Sequence, residues 1–304
     1  MRLIAFLLVA LVVGCQSPPP DESGLLDVNG TQLYYTATGQ GEPLLIIHGG
    51  PVLDQSYLTE HFKPLATHYR LIFYDQRASG RSRADVDSAS MTVKNLVDDI
   101  EAIRQKLQFK KIHVLGHSWG GFLAVKYAAA YPENVNRILL SDPMPPSTTV
   151  WQAEEQELAK RITHYDSLQR SLILNSEAMK NKDVSAVNAL MKLSFKTQFA
   201  DTSLLDKLSI HLPADYFQRS ATFGHIFPEL MNYDLVPLQK LDTPTLILYG
   251  DYEPAATLSG PLYEQNLTNG ELVIVSTSGH FPFIENPTEF FGHIRRFLSE
   301  KNQK

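Results

Sequence analysis

Cysteine is almost absent from the 304-residue sequence: Cys15 is the only one, and it lies close to the N-terminus. A single cysteine excludes an intrachain disulfide. The formal net charge is −6, and nothing supplies the basic stripe that a nucleic-acid partner would require. The sequence also lacks His-Glu-x-x-His and comparable clusters, so it predicts neither a metal nor a cofactor.

The N-terminal apolar run, Leu3 to Val13, is too short for a comfortable transmembrane helix, which needs about 20 residues. Arg2 precedes the run and Gly14 follows it, which is the pattern of a secretory signal peptide. The sequence therefore predicts that residues 1–14 do not belong to the folded domain.

Cys15 stands at a particular place in this segment. The stretch Val12-Val13-Gly14-Cys15 resembles a bacterial lipoprotein signal box. That resemblance implies an exported lipoprotein of the bacterial envelope, lipidated at Cys15 and held on a membrane by its anchor. Residues 15–24, which include three consecutive prolines, would form a stiff tether. An ordinary cleaved signal with a chance cysteine, or an uncleaved anchor, are the alternatives.

Strand-like and helix-like segments alternate along most of the remaining sequence. Continuous apolar runs are typical of strands buried on both faces, and they cover residues 43–48, 70–74, 111–115, 135–140, 244–249 and 271–275. Helical patterns cover residues 93–107, 120–131, 258–267 and 288–298. This alternation predicts βαβ units and an α/β protein with a mostly parallel sheet.

The alternation stops in the middle of the chain. Between about residues 143 and 240 there are helix-like stretches, most clearly 151–162 and 184–199, but no convincing buried strand. We therefore expect a helical insertion, hereafter the cap (residues 144–240), in a core formed by residues 25–143 and 241–304.

A Gly-x-Ser-x-Gly pattern follows the third predicted strand. Ser118 lies between Gly116 and Gly120, with a strand before it and a small-residue-rich helix after it. A serine projected from a tight strand-to-helix turn needs glycines two positions away, because side chains there would collide. In this context the pattern predicts that Ser118 is a nucleophile.

The chain resembles the α/β-hydrolase fold, and within it the proline iminopeptidase branch. Three stretches carry the resemblance: "HGGP" at 48–51, "DQRASGRS" at 75–82 and "GHSWGG" at 116–121. Two positions depart from the branch, which usually has glycine where this chain has Val52 and Ala78. The resemblance is weak across the cap.

The resemblance implies a catalytic triad in the chain order serine, acid, histidine. His280, in "SGHFPFIENP", would be the base that activates Ser118. The acid should follow the strand that ends at Gly250, where two carboxylates occur. By analogy with the family the third residue after that glycine, Glu253, is the acid, and Asp251 is the alternative.

The same resemblance assigns the oxyanion donors and the bracing loops. The backbone N–H groups of Trp119 and Gly50 would hold the developing negative oxygen. "DQRASGRS" is expected to brace neighbouring loops, with Asp75 and Arg77 orienting the site rather than reacting.

Three functions are compatible with these residues. The first is a proline iminopeptidase-like aminopeptidase acting on short peptides or amides, and the second is a carboxylesterase with the same triad. The third is a surface lipoprotein that does not use its hydrolase fold. Iminopeptidases bind the substrate's amine with carboxylates, one of which often directly follows the triad acid, but this chain has Pro254 there. Pocket-facing carboxylates would favour the first function, and an apolar pocket the second.

Overall fold

The computed structural model describes residues 20–50, 52–235 and 241–300. The signal peptide and Cys15 predictions concern residues outside these ranges. Strands β1 to β8 span, in order, Glu22–Val28, Thr31–Gly39, Glu42–Ile47, Tyr69–Tyr74, Ile112–His117, Val135–Ser141, Thr245–Gly250 and Gly270–Val275. The first strand begins inside the predicted tether, since Glu22 already pairs with Ala37.

The strands form one sheet in the order β1-β2-β4-β3-β5-β6-β7-β8. The pairs β1–β2 and β2–β4 are antiparallel, and the pairs from β4–β3 to β7–β8 are parallel. The hairpin between β1 and β2 turns at Asn29 and Gly30, which both have positive φ. Asn-Gly is the preferred sequence for such a two-residue turn.

Helices occupy the connections between the strands. Among the described residues, α1 to α13 span Ser56–Phe62, Val93–Lys106, Trp119–Ala130, Thr148–Ala159, His164–Leu174, Glu177–Lys180, Val184–Phe195, Tyr216–Phe223, Phe227–Leu230, Ala255–Leu258, Gly260–Asn266, Pro282–Glu285 and Pro287–Ser299. Helices α4 to α9 all lie in the cap. None of the helices in the described ranges combines the length and the apolar character needed to cross a membrane.

The hydrophobic core lies on both faces of the sheet. Alternate residues of a strand point to opposite faces, and β3 divides accordingly: Leu45 and Ile47 join one apolar cluster, and Leu44 and Ile46 join the other. Every residue of β5 is buried, as its continuous apolar sequence predicts. The predicted α/β-hydrolase architecture, a mostly parallel sheet flanked by helices, is confirmed.

The cap helix α4 begins at a polar residue rather than at its first large apolar one. The side chain of Ser147 accepts a hydrogen bond from the N–H of Val150, so α4 begins three residues before the predicted start at Trp151. The predicted helix 184–199 ends as an α-helix at Phe195 and continues as a 3₁₀ turn. Helix α5 was not predicted, although Thr163 and Asp166 form a capping box at its start.

Candidate active site

Ser118 occupies a strained turn between β5 and α3. Its backbone has φ +54° and ψ −120°, which side-chain-bearing residues rarely adopt. Two hydrogen bonds hold this conformation: the Ser118 N–H donates to Ser141 O at 3.0 Å, and the Met144 N–H donates to Ser118 O at 3.0 Å. The end of β6 therefore supports the turn that presents the serine.

The two glycines around Ser118 are required by close backbone contacts. A Cβ added at Gly116 would collide with the carbonyl oxygen of Gly120, and one added at Gly120 would collide with Ile47 O. The steric argument made from the Gly-x-Ser-x-Gly pattern thus corresponds to contacts of this turn.

His280 and Glu253 approach each other from the ends of β8 and β7. The distance from His280 Nδ1 to Glu253 Oε2 is 3.8 Å, which suits an ion pair but is long for a hydrogen bond. Burial alone lowers the pKa of His280, but the carboxylate of Glu253, together with the charges of Asp142 and Glu154, outweighs it, so the pKa is raised. This environment favours the imidazolium that a general base forms.

Because Gly250 has no side chain, the end of β7 can pack closely against the loop that follows β8. A Cβ there would collide with the carbonyl oxygens of Ser278 and Gly279, the residues just before His280. The loop between β8 and α12, hereafter the histidine loop, carries His280. The backbone N–H of His280 donates to Gln198 O at 2.8 Å, which fixes this loop against the cap.

Asp251 lies apart from His280's ring and binds backbone instead. Its carboxylate accepts hydrogen bonds from the N–H groups of Thr277 at 2.9 Å and Ser278 at 3.1 Å. Asp251 thus braces the histidine loop, whereas Glu253 faces the histidine itself.

Gly50 and Trp119 line the same cavity as Ser118. Gly50 has φ +59°, a conformation in which glycine carries no steric penalty. Trp119 is the first residue of α3, where a backbone N–H has no partner within the helix. Within the described ranges, neither N–H donates to a protein acceptor. Both groups could therefore serve a substrate oxygen.

A chain of hydrogen bonds, not predicted from the sequence, links the loop after β3, which carries Gly49 and Gly50, to the histidine loop. The Gly49 N–H donates to Tyr57 Oη at 2.6 Å, and Tyr57 Oη lies 2.7 Å from His117 Nδ1. His117 Nε2 lies 2.9 Å from His280 O, which can only accept. His117 therefore donates from Nε2 and accepts at Nδ1, a neutral form consistent with burial, which lowers its pKa well below the ordinary value.

The "DQRASGRS" loop braces its neighbours through two buried side chains. The Asp75 carboxylate accepts from the N–H groups of Gln55 at 3.1 Å and Arg81 at 2.8 Å. Arg77 forms a buried ion pair with Asp99 at 2.7 Å. These contacts lie away from Ser118, and they hold the loops that surround it.

The two departures from the family's glycines both have left-handed backbone. Val52 has φ +67° and Ala78 has φ +57°. Glycine adopts this region freely, whereas other residues are strained in it, β-branched valine most of all. The backbone of both loops therefore keeps a conformation suited to glycine, although the side chains have changed.

One cavity of about 310 Å³ joins the predicted residues. It is lined from the core by Ser118, Glu253, His280, Gly50 and Trp119. The structure thus brings the predicted nucleophile, base, acid and oxyanion donors together. Asp251 does not line this cavity.

Comparison with known proteins identifies the family. The model of the alpha/beta hydrolase fold family matches residues 42–287, which is more than half of the chain. The chain belongs to the alpha/beta hydrolase fold family.

This α/β hydrolase is similar to curated proline iminopeptidases along most of its length. That of Heyndrickxia coagulans is 25% identical over 286 residues, which cover 91% of this chain and 98% of the relative. That of Lactobacillus delbrueckii subsp. bulgaricus is 28% identical over 280 residues, covering 85% and 91%. The crystal structure of the Mycobacterium smegmatis proline iminopeptidase has a TM-score of 0.70, with 19% identity over 91% of this chain and 97% of that one, and supports the fold.

The cap contributes two carboxyl groups to the hydrolase's cavity. Glu154 of α4 is buried, and its carboxylate accepts a hydrogen bond from Ser259 Oγ. Burial raises the pKa of Glu154 to about 8, although the Ser259 hydrogen bond opposes the shift. Glu155 lines the cavity as well, and accepts from the indole N–H of Trp151 at 3.2 Å.

Two other acids of the cap, Glu229 and Asp234, do not line this cavity. Glu229 accepts from the N–H of Val93 at 3.3 Å, and Asp234 pairs with Ser147 in a β-bridge. Pro254, next to Glu253, does not line the cavity either. Sequence reasoning missed Glu154 because nothing in the acid-rich sequence of α4 separates it from its exposed neighbours.

Arg161 connects the cap to the loop between β7 and α10, hereafter the acid loop, which carries Glu253. Its guanidinium lies 3.8 Å from the centre of the Tyr252 ring and donates to Tyr252 O at 2.6 Å. It also donates to Thr197 O at 2.9 Å. One cap side chain thus fixes the residue directly before Glu253.

Within the part of the chain that the structure describes, no three His, Cys, Asp or Glu side chains are grouped as metal ligands would be.

Proposed function

We propose that this α/β hydrolase is a serine hydrolase of the proline iminopeptidase type, with Ser118, His280 and Glu253 as its triad. It releases an N-terminal proline or similar small residue from a short peptide or amide. The grouping of the three side chains in one cavity with Gly50 and Trp119 supports the chemistry. The buried carboxyl of Glu154 in that cavity carries the choice of substrate.

The proposed reaction proceeds through an acyl-enzyme. His280 takes the proton of Ser118 as Oγ bonds to the substrate carbonyl carbon, and the oxygen becomes an anion held by the N–H groups of Gly50 and Trp119. The amine leaves with the proton from His280. Water then gives a proton to His280 and attacks the ester, and Ser118 recovers its proton as the acid leaves. Glu253 stabilises the imidazolium in both halves.

Glu154 supports an amine-bearing substrate. An ammonium group removed from water needs an anionic partner. Glu154 offers one, because a cation beside it would stabilise its ionised form. None of the described residues that line the cavity is Lys or Arg, so among them only His280 can carry a positive charge near Glu154. Around the carboxyls the wall is apolar, with Leu158, Phe223 and Leu230, which suits a pyrrolidine ring.

A carboxylesterase is the second candidate, and the same apolar wall favours it. Small esters need no anionic partner, only apolar contact and the triad. An esterase would use Leu158 and Phe223 and leave Glu154 without a role in binding.

The experiment compares a prolyl arylamide with a short-chain aryl ester on the purified protein, after labelling with a fluorophosphonate. Labelling of the native protein is expected to be rapid and to disappear in Ser118→Ala. The prolyl arylamide should have the higher kcat/KM. A higher value for the ester, unchanged in Glu154→Gln, would favour the esterase, and no labelling would overturn the serine mechanism.

We also propose that the protein is exported and lipidated at Cys15. This proposal is supported only by the sequence of residues 1–15. Expression of the full chain in a bacterium with radiolabelled palmitate should label it, and Cys15→Ser should remove the label and release the protein from membranes. Equal labelling of Cys15→Ser would contradict it.

A further inference from the structure

Asp142 is a buried carboxyl group of the cavity to which the proposed mechanism assigns no task. It directly follows β6 and is 1% exposed. It lines the same cavity as Ser118, Glu253 and His280. A buried carboxylate in an apolar core is costly, so its presence in the cavity that holds His280 requires an explanation.

Asp142 is fixed by the strand that carries the acid loop. β6 lies between β5, which presents Ser118, and β7, which leads to Glu253. The Asp142 N–H donates to Leu248 O at 2.7 Å, and its Oδ1 accepts from the Gly250 N–H at 3.0 Å. Its φ of +42° is a left-handed conformation that aspartate tolerates better than most residues. The carboxyl group is therefore held at the start of the acid loop.

Glu253 is held much less firmly. Its Oε1 is buried without a hydrogen-bond partner among the described residues, and its Oε2 lies 3.8 Å from His280 Nδ1. A triad acid normally makes a close hydrogen bond to that nitrogen. His280 thus has one loosely held carboxylate near its Nδ1 and shares its cavity with one rigidly held carboxyl group.

We propose that Asp142 is a second acid for His280, a positioning residue that takes over the task of Glu253 when Glu253 is lost. The inference rests on the proposed serine mechanism. It requires no new atom transfer, since Asp142 acts by its negative charge and orients His280 while the proton remains on the imidazole.

The charges around Asp142 give this arrangement a pH signature. Burial raises the pKa of Asp142 to about 8, His280 opposes the rise and Glu253 adds to it. Four other titratable groups interact electrostatically with this cluster: Glu154, Glu285, His117 and the Tyr249 hydroxyl. Removing the charge of Glu253 should therefore lower the pKa of Asp142 and ionise it in neutral solution.

The test compares Glu253→Ala, Asp142→Asn and the double variant by the rate of fluorophosphonate labelling across pH. Alanine is used at 253 because an amide there could hold His280 in the wrong tautomer. The labelling rate of Glu253→Ala should fall less than about 100-fold, whereas that of the double variant should approach the roughly 10⁴-fold loss seen when the acid of a triad is removed. Between pH 5 and 8, the labelling rate of Glu253→Ala should rise as the Asp142 carboxyl ionises, and the double variant should lack this contribution.

Two controls separate this role from a structural one. In Asp142→Asn the side-chain amide oxygen can still accept from the Gly250 N–H, so this variant should keep the melting temperature within a few degrees. Asp251 lies in the same loop as Glu253 but outside the cavity, so adding Asp251→Asn should not change the pH profile of Glu253→Ala. If Glu253→Ala and the double variant label equally slowly at every pH, the inference is wrong while the serine mechanism stands. If the native protein does not label, both fall.

Discussion

The core wall and the cap wall of the cavity are built in different ways. On the core side, the reacting groups are held through backbone hydrogen bonds, those of Ser118 at the end of β6 and that of His280 to Gln198 O. On the cap side, helix side chains such as Leu158, Glu154 and Phe223 supply the surface. The core wall therefore determines the chemistry, and the cap wall determines which substrate meets it. Substitutions in the two walls should have different kinetic effects.

The largest effect is expected in the core wall. Ser118→Ala should reduce kcat for the prolyl arylamide and the aryl ester alike, by about 10⁴-fold or more, because both reactions need the same nucleophile. Thermal unfolding should change little, since alanine keeps the backbone. Substantial activity toward either substrate would show that another group reacts.

Substitution in the cap wall should separate the two substrates. Glu154→Gln should raise KM for the prolyl arylamide by about 10- to 100-fold, the loss expected for a charged partner of the amine. The ester should be hydrolysed as before. Glu229→Gln is the matched control, because Glu229 is an exposed acid of the same cap. Equal effects on both substrates would remove the distinction between the walls.

A smaller effect concerns pH. The pKa of His280 is raised above its ordinary value, chiefly by Glu253 acting against burial. Only neutral His280 can accept the serine proton, so kcat/KM should rise with pH around a midpoint above about 6.5, the ordinary value. Glu253→Ala should move the midpoint lower. Profiles for arylamide and ester should share this midpoint, and separate midpoints would contradict a common base.

The smallest effect concerns the strained loop that braces the core wall. Ala78 has φ +57°, so Ala78→Gly should raise the free energy of unfolding by up to about 1 kcal/mol. Ala153→Gly, within helix α4, should lower it by a similar amount. Urea unfolding of both variants measures the difference. A loss of stability in Ala78→Gly would show that the strain is relieved elsewhere.

The core could be predicted further from the sequence than the cap could. Ser118 was found because its glycines are needed by local sterics, and the continuous apolar strands identified the sheet. The Asn29-Gly30 hairpin was missed, although that dipeptide is a strong turn signal. Motif residues at strand ends can thus be identified from the sequence, because their conformation depends on residues nearby in the chain.

Asp142 and Glu154 could not be found in that way. Each matters through contacts with segments far away in the chain, Gly250 in one case and Ser259 in the other. The pairing of Tyr57 with His117 also spans 60 residues. No local pattern records such contacts, and the resemblance to the family is weakest where the cap supplies them.

The contacts of Arg161 bear on how such hydrolases can be recombined. Exchanging caps between relatives is an attractive route to new substrates, because the helices form one continuous insertion between β6 and β7. In this chain, however, Arg161 of the insertion also donates a hydrogen bond to the main-chain carbonyl of Tyr252, immediately before Glu253. A foreign cap lacking that arginine would leave the acid loop less constrained. A successful chimera should therefore transfer Arg161, Thr197 and Tyr252 as a unit.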